Sequence, residues 1–166
     1  MKHLDLISYN PPQTQRLGKN IGRLTIPGDI LLLVGKLGAG KTCLTQGVAY
    51  GLGIEEYISS PSFVLIREFS GRLPLYHIDL YRLELPREIA NLGLDDYLYG
   101  RGVCVIEWAE KGLSLMPSEY MLIRIDYLAD MKRSFEFEAN GARYSKMLKE
   151  LKAEKTDVSS NRHLNR

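Results

Sequence analysis

Ile30-Leu31-Leu32-Leu33-Val34-Gly35-Lys36-Leu37-Gly38-Ala39-Gly40-Lys41-Thr42 is the stretch on which the fold of this chain turns. Ile30 to Val34 is purely aliphatic and follows the turn Pro27-Gly28-Asp29, so it reads as a strand buried on both faces. Lys41 to Leu52 reads as a helix stopped by Gly53. Between them, Gly35 to Thr42 fits Gly-x-x-x-x-Gly-Lys-[Ser/Thr] at every position. Small residues at Gly38, Ala39 and Gly40 let backbone N–H groups turn inward and approach an anion. The helix opening near Lys41 adds the positive end of its dipole. Strand, glycine loop and helix in this order predict a phosphate-binding loop for ATP with Mg²⁺. In it Lys41 reaches the β- and γ-phosphates, and the Thr42 hydroxyl is a Mg²⁺ ligand.

Outward from the loop, the apolar pattern supplies the rest of an α/β domain. His3 to Ser8 reads as a short edge strand, ended by Asn10-Pro11-Pro12. Leu17, Ile21 and Leu24 recur at helical spacing, with Thr14 as the expected N-cap. Phe63 to Phe69 and Leu73 to Asp79 flank Ser70-Gly71 as a hairpin. Leu85 to Tyr99 reads as one or two short helices, and Val103 to Glu107 as a second aliphatic strand. Tyr120 to Tyr127 and Ser134 to Ala139 predict another hairpin, in which Phe135 and Phe137 alternate with Glu136 and Glu138. Ala142 to Lys152 predicts a last helix. The expected fold is a three-layer P-loop NTPase of the α/β class, its parallel central sheet extended by antiparallel hairpins. The helix from Lys41 is expected to cross over between parallel neighbours. Residues 1–153 read as one domain, and 154–166 as a polar, basic tail expected to be poorly ordered.

Composition excludes several classes of function. The chain has 166 residues, 45% hydrophobic and 25% charged, the balance of a single globular domain rather than a disordered chain. Its formal net charge of +2 is unlike the basic stripe of a DNA-binding protein. Ile30 to Val34 is far too short to span a bilayer, and Met1 to Pro12 lacks the blocks of a secretory signal. Cys43 and Cys104 are the only cysteines and have no Cys-x-x-Cys spacing, which argues against a metal or redox centre. A cytoplasmic protein with reduced thiols is expected.

A phosphate loop needs an acid at the carboxyl end of a neighbouring strand, to hold Mg²⁺ or to position the attacking water. Leu75-Tyr76-His77-Ile78-Asp79 delivers Asp79, and Val103-Cys104-Val105-Ile106-Glu107 delivers Glu107. Either acid alone also fits a solvated strand end. His77 shares a strand face with Asp79 and fits two roles, orienting a water or acid, or packing as a bonded structural histidine. Tyr81 and Arg82 follow, and an arginine there can reach phosphate or a carboxylate. Trp108, the single tryptophan, fits either core packing or a contact beside the nucleotide.

These stretches together resemble the TsaE (YjeE) family, the bacterial ATPase of tRNA threonylcarbamoyladenosine biosynthesis. The resemblance is carried by Thr14-x-x-Leu17-Gly18, Leu37 to Thr42, Ser60-Pro61-Ser62-Phe63, His77-Ile78-Asp79-Leu80-Tyr81-Arg82 and Glu107-Trp108. Ile125-Asp126-Tyr127 and Arg133 through Gly141 resemble the family's closing hairpin. It implies an ATPase that works with TsaB and TsaD and reaches tRNA only through that complex, while the charge balance and the short aliphatic run argue against a DNA or membrane partner. By position it implies Thr42 and Glu107 as Mg²⁺ ligands and Asp79 as a catalytic acid near the γ-phosphate. Ser60, Pro61, Ser62 and Phe63 would be a switch-like segment, and Thr14 and Arg133 contacts on the adenosine side. Three positions depart from the family pattern. Lys36 stands where the family usually has an acid, Cys43 replaces a common Thr near the α-phosphate but keeps its backbone N–H, and Ser62 replaces a Thr.

A small-molecule kinase of shikimate-kinase-like type also opens with such a loop. It needs a lid carrying arginines, and the segment after Glu107 is short. A nucleotide-gated binding module without useful turnover is a third reading. No arginine is expected to be held beside the γ-phosphate, since Arg67, Arg72, Arg82 and Arg87 surround the first hairpin. Slow hydrolysis by the isolated chain, accelerated by partners, is the consequence.

Overall fold

The aliphatic run becomes the centre of the sheet because each of its side chains finds an apolar layer. In the computed structural model, which describes residues 1–59 and 65–161, Leu31 and Leu33 of strand β2 (Ile30–Val34) enter one core and Ile30 and Leu32 the other. Around it the chain runs β1 (His3–Ser8), α1 (Pro11–Leu24), β2, α2 (Lys41–Gly51), β3 (Ile66–Phe69) and β4 (Leu75–Asp79). Then follow α3 (Pro86–Ala90), α4 (Asp95–Leu98), β5 (Val103–Glu107), a 3₁₀ segment (Ala109–Leu115), β6 (Tyr120–Ala129), β7 (Lys132–Asn140) and α5 (Ala142–Asn161). Among the described residues the strands form one sheet in the order β1-β7-β6-β2-β5-β4-β3. Its middle, β6-β2-β5-β4, is parallel, and β7, β1 and β3 add antiparallel pairs at the two sides.

Three layers result, as the sequence predicts. Ile21 of α1, Leu44 and Val48 of α2, and Met147, Leu148 and Leu151 of α5 cover one face of the sheet. Ile89 of α3, Leu94 and Leu98 around α4, and Ala109 cover the other. The last helix also secures the approach to β2: Arg143 grips Asp29 through both carboxylate oxygens at 3.0 and 2.8 Å, and the Tyr144 hydroxyl accepts from the Ile30 amide at 2.8 Å. No helix among the described residues is long and apolar enough to cross a membrane.

Three local expectations are corrected. Thr14 is not the N-cap of α1; Asn10 is, its side chain accepting from the Gln13 amide at 2.9 Å, with prolines in the first turn. Pro11 and Pro12 therefore open the helix, where a missing N–H costs nothing and φ is already helical. Nor does α2 cross between parallel neighbours. It leads to the edge strand β3, antiparallel to β4, while β5 and β6 join β2 later in the chain. The last helix runs past Lys152 to Asn161, into the segment read as a tail, consistent with the helix-forming run Lys152-Ala153-Glu154-Lys155.

Helices α1 and α2 touch backbone to backbone. A Cβ on Gly47 would lie 2.2 Å from the Gln15 carbonyl oxygen, and one on Gly18 would lie 2.4 Å from that of Leu44. Backbone cannot yield as a side chain does, so Gly47→Ala is expected to cost about 1–3 kcal/mol by forcing the helices apart. A urea titration checks this: the midpoint falls while the slope stays unchanged.

Candidate functional site

The loop between β2 and α2 takes its shape from two glycines in the left-handed region, Gly38 at φ 79° and Gly40 at φ 110°. A side chain at either would be strained, which explains the glycines on both sides of Ala39. The Lys41 ammonium folds back over the loop, donating to the carbonyl oxygens of Gly35 and, at 2.9 Å, of Lys36. It also lies 4.0 Å from the centre of the Trp108 ring. Burial lowers the Lys41 pKa, and the carboxylates of Glu107, Glu110 and Asp79 act against that shift. From β7, Arg133 donates through Nε to the Ala39 carbonyl oxygen at 3.0 Å and stacks on Tyr127 at 4.7 Å.

Both sequence-predicted acids arrive at the same place. Asp79 ends β4, Glu107 ends β5, and the two are partners across the parallel ladder. They are 5% and 2% exposed, which rules out solvated strand ends. The Thr42 hydroxyl donates to the Glu107 carboxylate, with Oε1 at 3.0 Å and Oε2 at 3.3 Å. On its other side Glu107 pairs through Oε2 with Nε2 of the fully buried His77. The His77 Nδ1 has no hydrogen-bond partner among the described residues. The histidine therefore orients the acid of the next strand, Glu107, rather than Asp79. Asp79 is instead held by its own turn, accepting the Tyr81 amide at 2.9 Å.

A cavity of about 350 Å³ opens over these groups. Gly38, Gly40, Lys41, Thr42, Cys43, Asp79, Tyr81, Arg82, Glu107 and Trp108 line it, joined by Leu37 and Leu65. Arg82 thus lines the cavity, the position from which the sequence reading has an arginine reach phosphate or a carboxylate. Arg72 is committed elsewhere, to the carbonyl oxygens of Gly22 and Thr25 at 2.9 and 3.1 Å. Ala39 and Arg133 support the loop without lining the cavity. Thr14 is buried, its hydroxyl 2.7 Å from that of Ser8, and it does not line the cavity either. Burial pushes the Cys43 thiol up and Arg133 opposes this, so Cys43 contributes a neutral thiol to the wall. Ser60, Pro61, Ser62 and Phe63 lie outside the described residues. Lys111 is the site neighbour that sequence reasoning missed, because one lysine in a polar segment carries no pattern.

The donor set fits Mg²⁺ held jointly with phosphate. Among the described residues no group of three or more His, Cys, Asp or Glu gathers to hold a metal by itself. Thr42 and Glu107 instead offer a hydroxyl and a carboxylate side by side at the loop, the hard oxygen donors that Mg²⁺ takes with phosphate oxygens and water.

The family model described as "Threonylcarbamoyl adenosine biosynthesis protein TsaE" matches residues 8–135, a span holding the loop, both acids and Arg133. The chain belongs to the TsaE family. It is 44% identical over 152 residues to the tRNA threonylcarbamoyladenosine biosynthesis protein TsaE of Bacillus subtilis (strain 168), covering 91% of this chain and 95% of that one. The TsaE of Treponema pallidum (strain Nichols) is 44% identical over 127 residues, 76% of this chain and 94% of that protein. The fold agrees with the crystal structure of Bacillus subtilis YdiB at a TM-score of 0.82 and 40% identity, covering 93% of this chain and 97% of that one. The TsaE resemblance first carried by short motifs therefore extends over the whole sheet.

Proposed function

We propose that this chain is the Mg²⁺-dependent ATPase of N6-threonylcarbamoyladenosine formation in tRNA, a cytoplasmic protein acting on a TsaB–TsaD complex and reaching tRNA only through it. The observation that carries the ATPase reading is the Thr42–Glu107 hydrogen bond beside Lys41, with Asp79 in register on the neighbouring strand. A phosphate loop alone would bind nucleotide; the paired acids add the means to hydrolyse it. The role in tRNA modification rests on membership of the family and on the names of its relatives.

In this reading the loop amides and Lys41 hold the phosphates of ATP, and Lys41 exchanges its Gly35 and Lys36 carbonyls for phosphate oxygens. Thr42 and Glu107 would hold Mg²⁺, which supplies charge neutralisation for the leaving diphosphate. His77 keeps the Glu107 carboxylate turned towards Thr42, as an outer partner does for a metal ligand. Asp79 positions the attacking water and takes its proton as the bond to the γ-phosphorus forms and that to the bridging oxygen breaks. The products are ADP and inorganic phosphate.

Steady-state phosphate release with and without purified TsaB–TsaD tests the proposal. The isolated chain is expected to turn over slowly, and partners to raise the rate by roughly 10³-fold or more, the scale of a completed phosphoryl-transfer site. A fast isolated enzyme that the partners leave unchanged would refute it. Transfer of phosphate to a metabolite instead of water would move the assignment to a kinase.

A further inference from the structure

The turn leaving β4 and the corner leaving β5 carry the groups that flank the two acids, and one side chain ties them together. Lys111 sits in the 3₁₀ segment after Trp108, its own amide donating to the Trp108 carbonyl at 3.1 Å. Its ammonium crosses to the β4 turn and donates to the carbonyl oxygens of Tyr81 and, at 3.2 Å, of Leu83. It also lies 5.3 Å from the centre of the Tyr81 ring and 5.8 Å from that of Trp108. The two rings meet at 4.9 Å, and the far neighbour of Trp108 is the Lys41 ammonium. Through the same turn, the Tyr81 amide holds the Asp79 carboxylate.

We propose that Lys111 is a positioning residue of the ATPase site, clamping the Asp79–Leu83 turn to the Trp108 corner. The inference rests on the ATPase reading above. An ammonium suits this position because it satisfies two converging carbonyls with separate hydrogens and offers its charge to two ring faces at once. With the clamp closed, the Tyr81 backbone is held on both sides, its N–H on Asp79 and its C=O on Lys111. Asp79 then meets the attacking water in one orientation. Trp108, which sits at φ 58° in the left-handed region uncommon for bulky residues, is kept in place by Tyr81 and Lys111. Lys111 reaches the phosphate loop through the Trp108 ring, while Lys41 keeps its Gly35 and Lys36 carbonyls, so nucleotide binding survives while the turn loses its set.

The test compares wild type, Lys111→Met, Lys111→Gln and Lys111→Arg, each assayed with TsaB–TsaD present. Lys111→Met keeps the length of the side chain and removes charge and donors. Its kcat is expected to fall about 10-fold, the lower scale for outer-shell positioning groups, with KM for ATP–Mg²⁺ within about 3-fold of wild type. The Trp108 emission spectrum of the protein without nucleotide shifts as the ring loses its partners. Lys111→Arg restores rate and spectrum, and Lys111→Gln, which keeps donors without charge, falls between. An unchanged kcat and spectrum in Lys111→Met would overturn the proposal. So would a loss of activity in Met and Gln variants that only tracks a loss of folded protein, since Lys111 would then be structural. If wild type itself releases no phosphate, the ATPase reading fails, and an unmoved Trp108 emission would separately reject the clamp.

Discussion

Lys41→Ala is expected to lose ATP binding by about 10²–10³-fold while the domain stays folded, because the change removes one member of a close charge pair with phosphate. Lys41 is 4% exposed and its pKa is lowered by burial, so a neighbouring phosphate charge would favour the ammonium form that burial disfavours. Its contacts are two carbonyls of its own loop and the Trp108 ring. Alanine leaves the carbonyls of half-buried Gly35 and exposed Lys36 within reach of water, which replaces the lost donor, and stability should change by no more than about 1 kcal/mol. Calorimetric titration with ATP–Mg²⁺, paired with a urea melt, separates the two quantities. Equal affinity in wild type and variant would remove Lys41 from the phosphate site.

The second large effect falls on turnover. Asp79→Asn and Glu107→Gln keep the shape of each side chain and remove its charge, so the buried neighbours stay packed. Asp79→Asn is expected to lower phosphate release by about 10²–10⁴-fold, the range of a positioned general base, with ATP affinity little changed. Glu107→Gln acts differently, since the amide offers one acceptor where the carboxylate serves both Thr42 and His77. It is expected to move the Mg²⁺ dependence to higher concentration and to cut the rate by at least about 10-fold. Rates measured across a Mg²⁺ series with TsaB–TsaD present distinguish the two: excess Mg²⁺ recovers part of the Glu107→Gln loss and none of the Asp79→Asn loss. Wild-type rates in both variants would leave the acids without a catalytic role.

The glycine loop, the two strand-end acids and the three-layer class were legible in the sequence because each is a local pattern with a local cause. Aliphatic runs ending in an acid announce strand ends, and glycines at fixed offsets announce left-handed backbone, as Gly38 and Gly40 show. Other features depended on neighbours far along the chain. Nothing in the spacing of His77 and Glu107 told which acid the imidazole would meet; the β4–β5 register brought it to Glu107. Thr14, read as a cap, was displaced when two prolines supplied the first turn of α1, and its hydroxyl was then claimed by Ser8 across the β1–α1 corner. The route of the chain after α2, out to an edge strand rather than to a parallel neighbour, followed from which strands bury both faces. β2 and β5 do, and β3, with Arg67 and Glu68 exposed, does not. Lys111 is the clearest case: its ammonium acquires a role only when two turns from separate strands stand within reach of one side chain. Sequence alone determined which residue types stand at which local spacing, since a glycine loop after an aliphatic run and acids at strand ends are encoded by near neighbours. Tertiary structure decided which side chain serves which atom, because those pairings are set by strand register and loop packing between residues far apart in the chain.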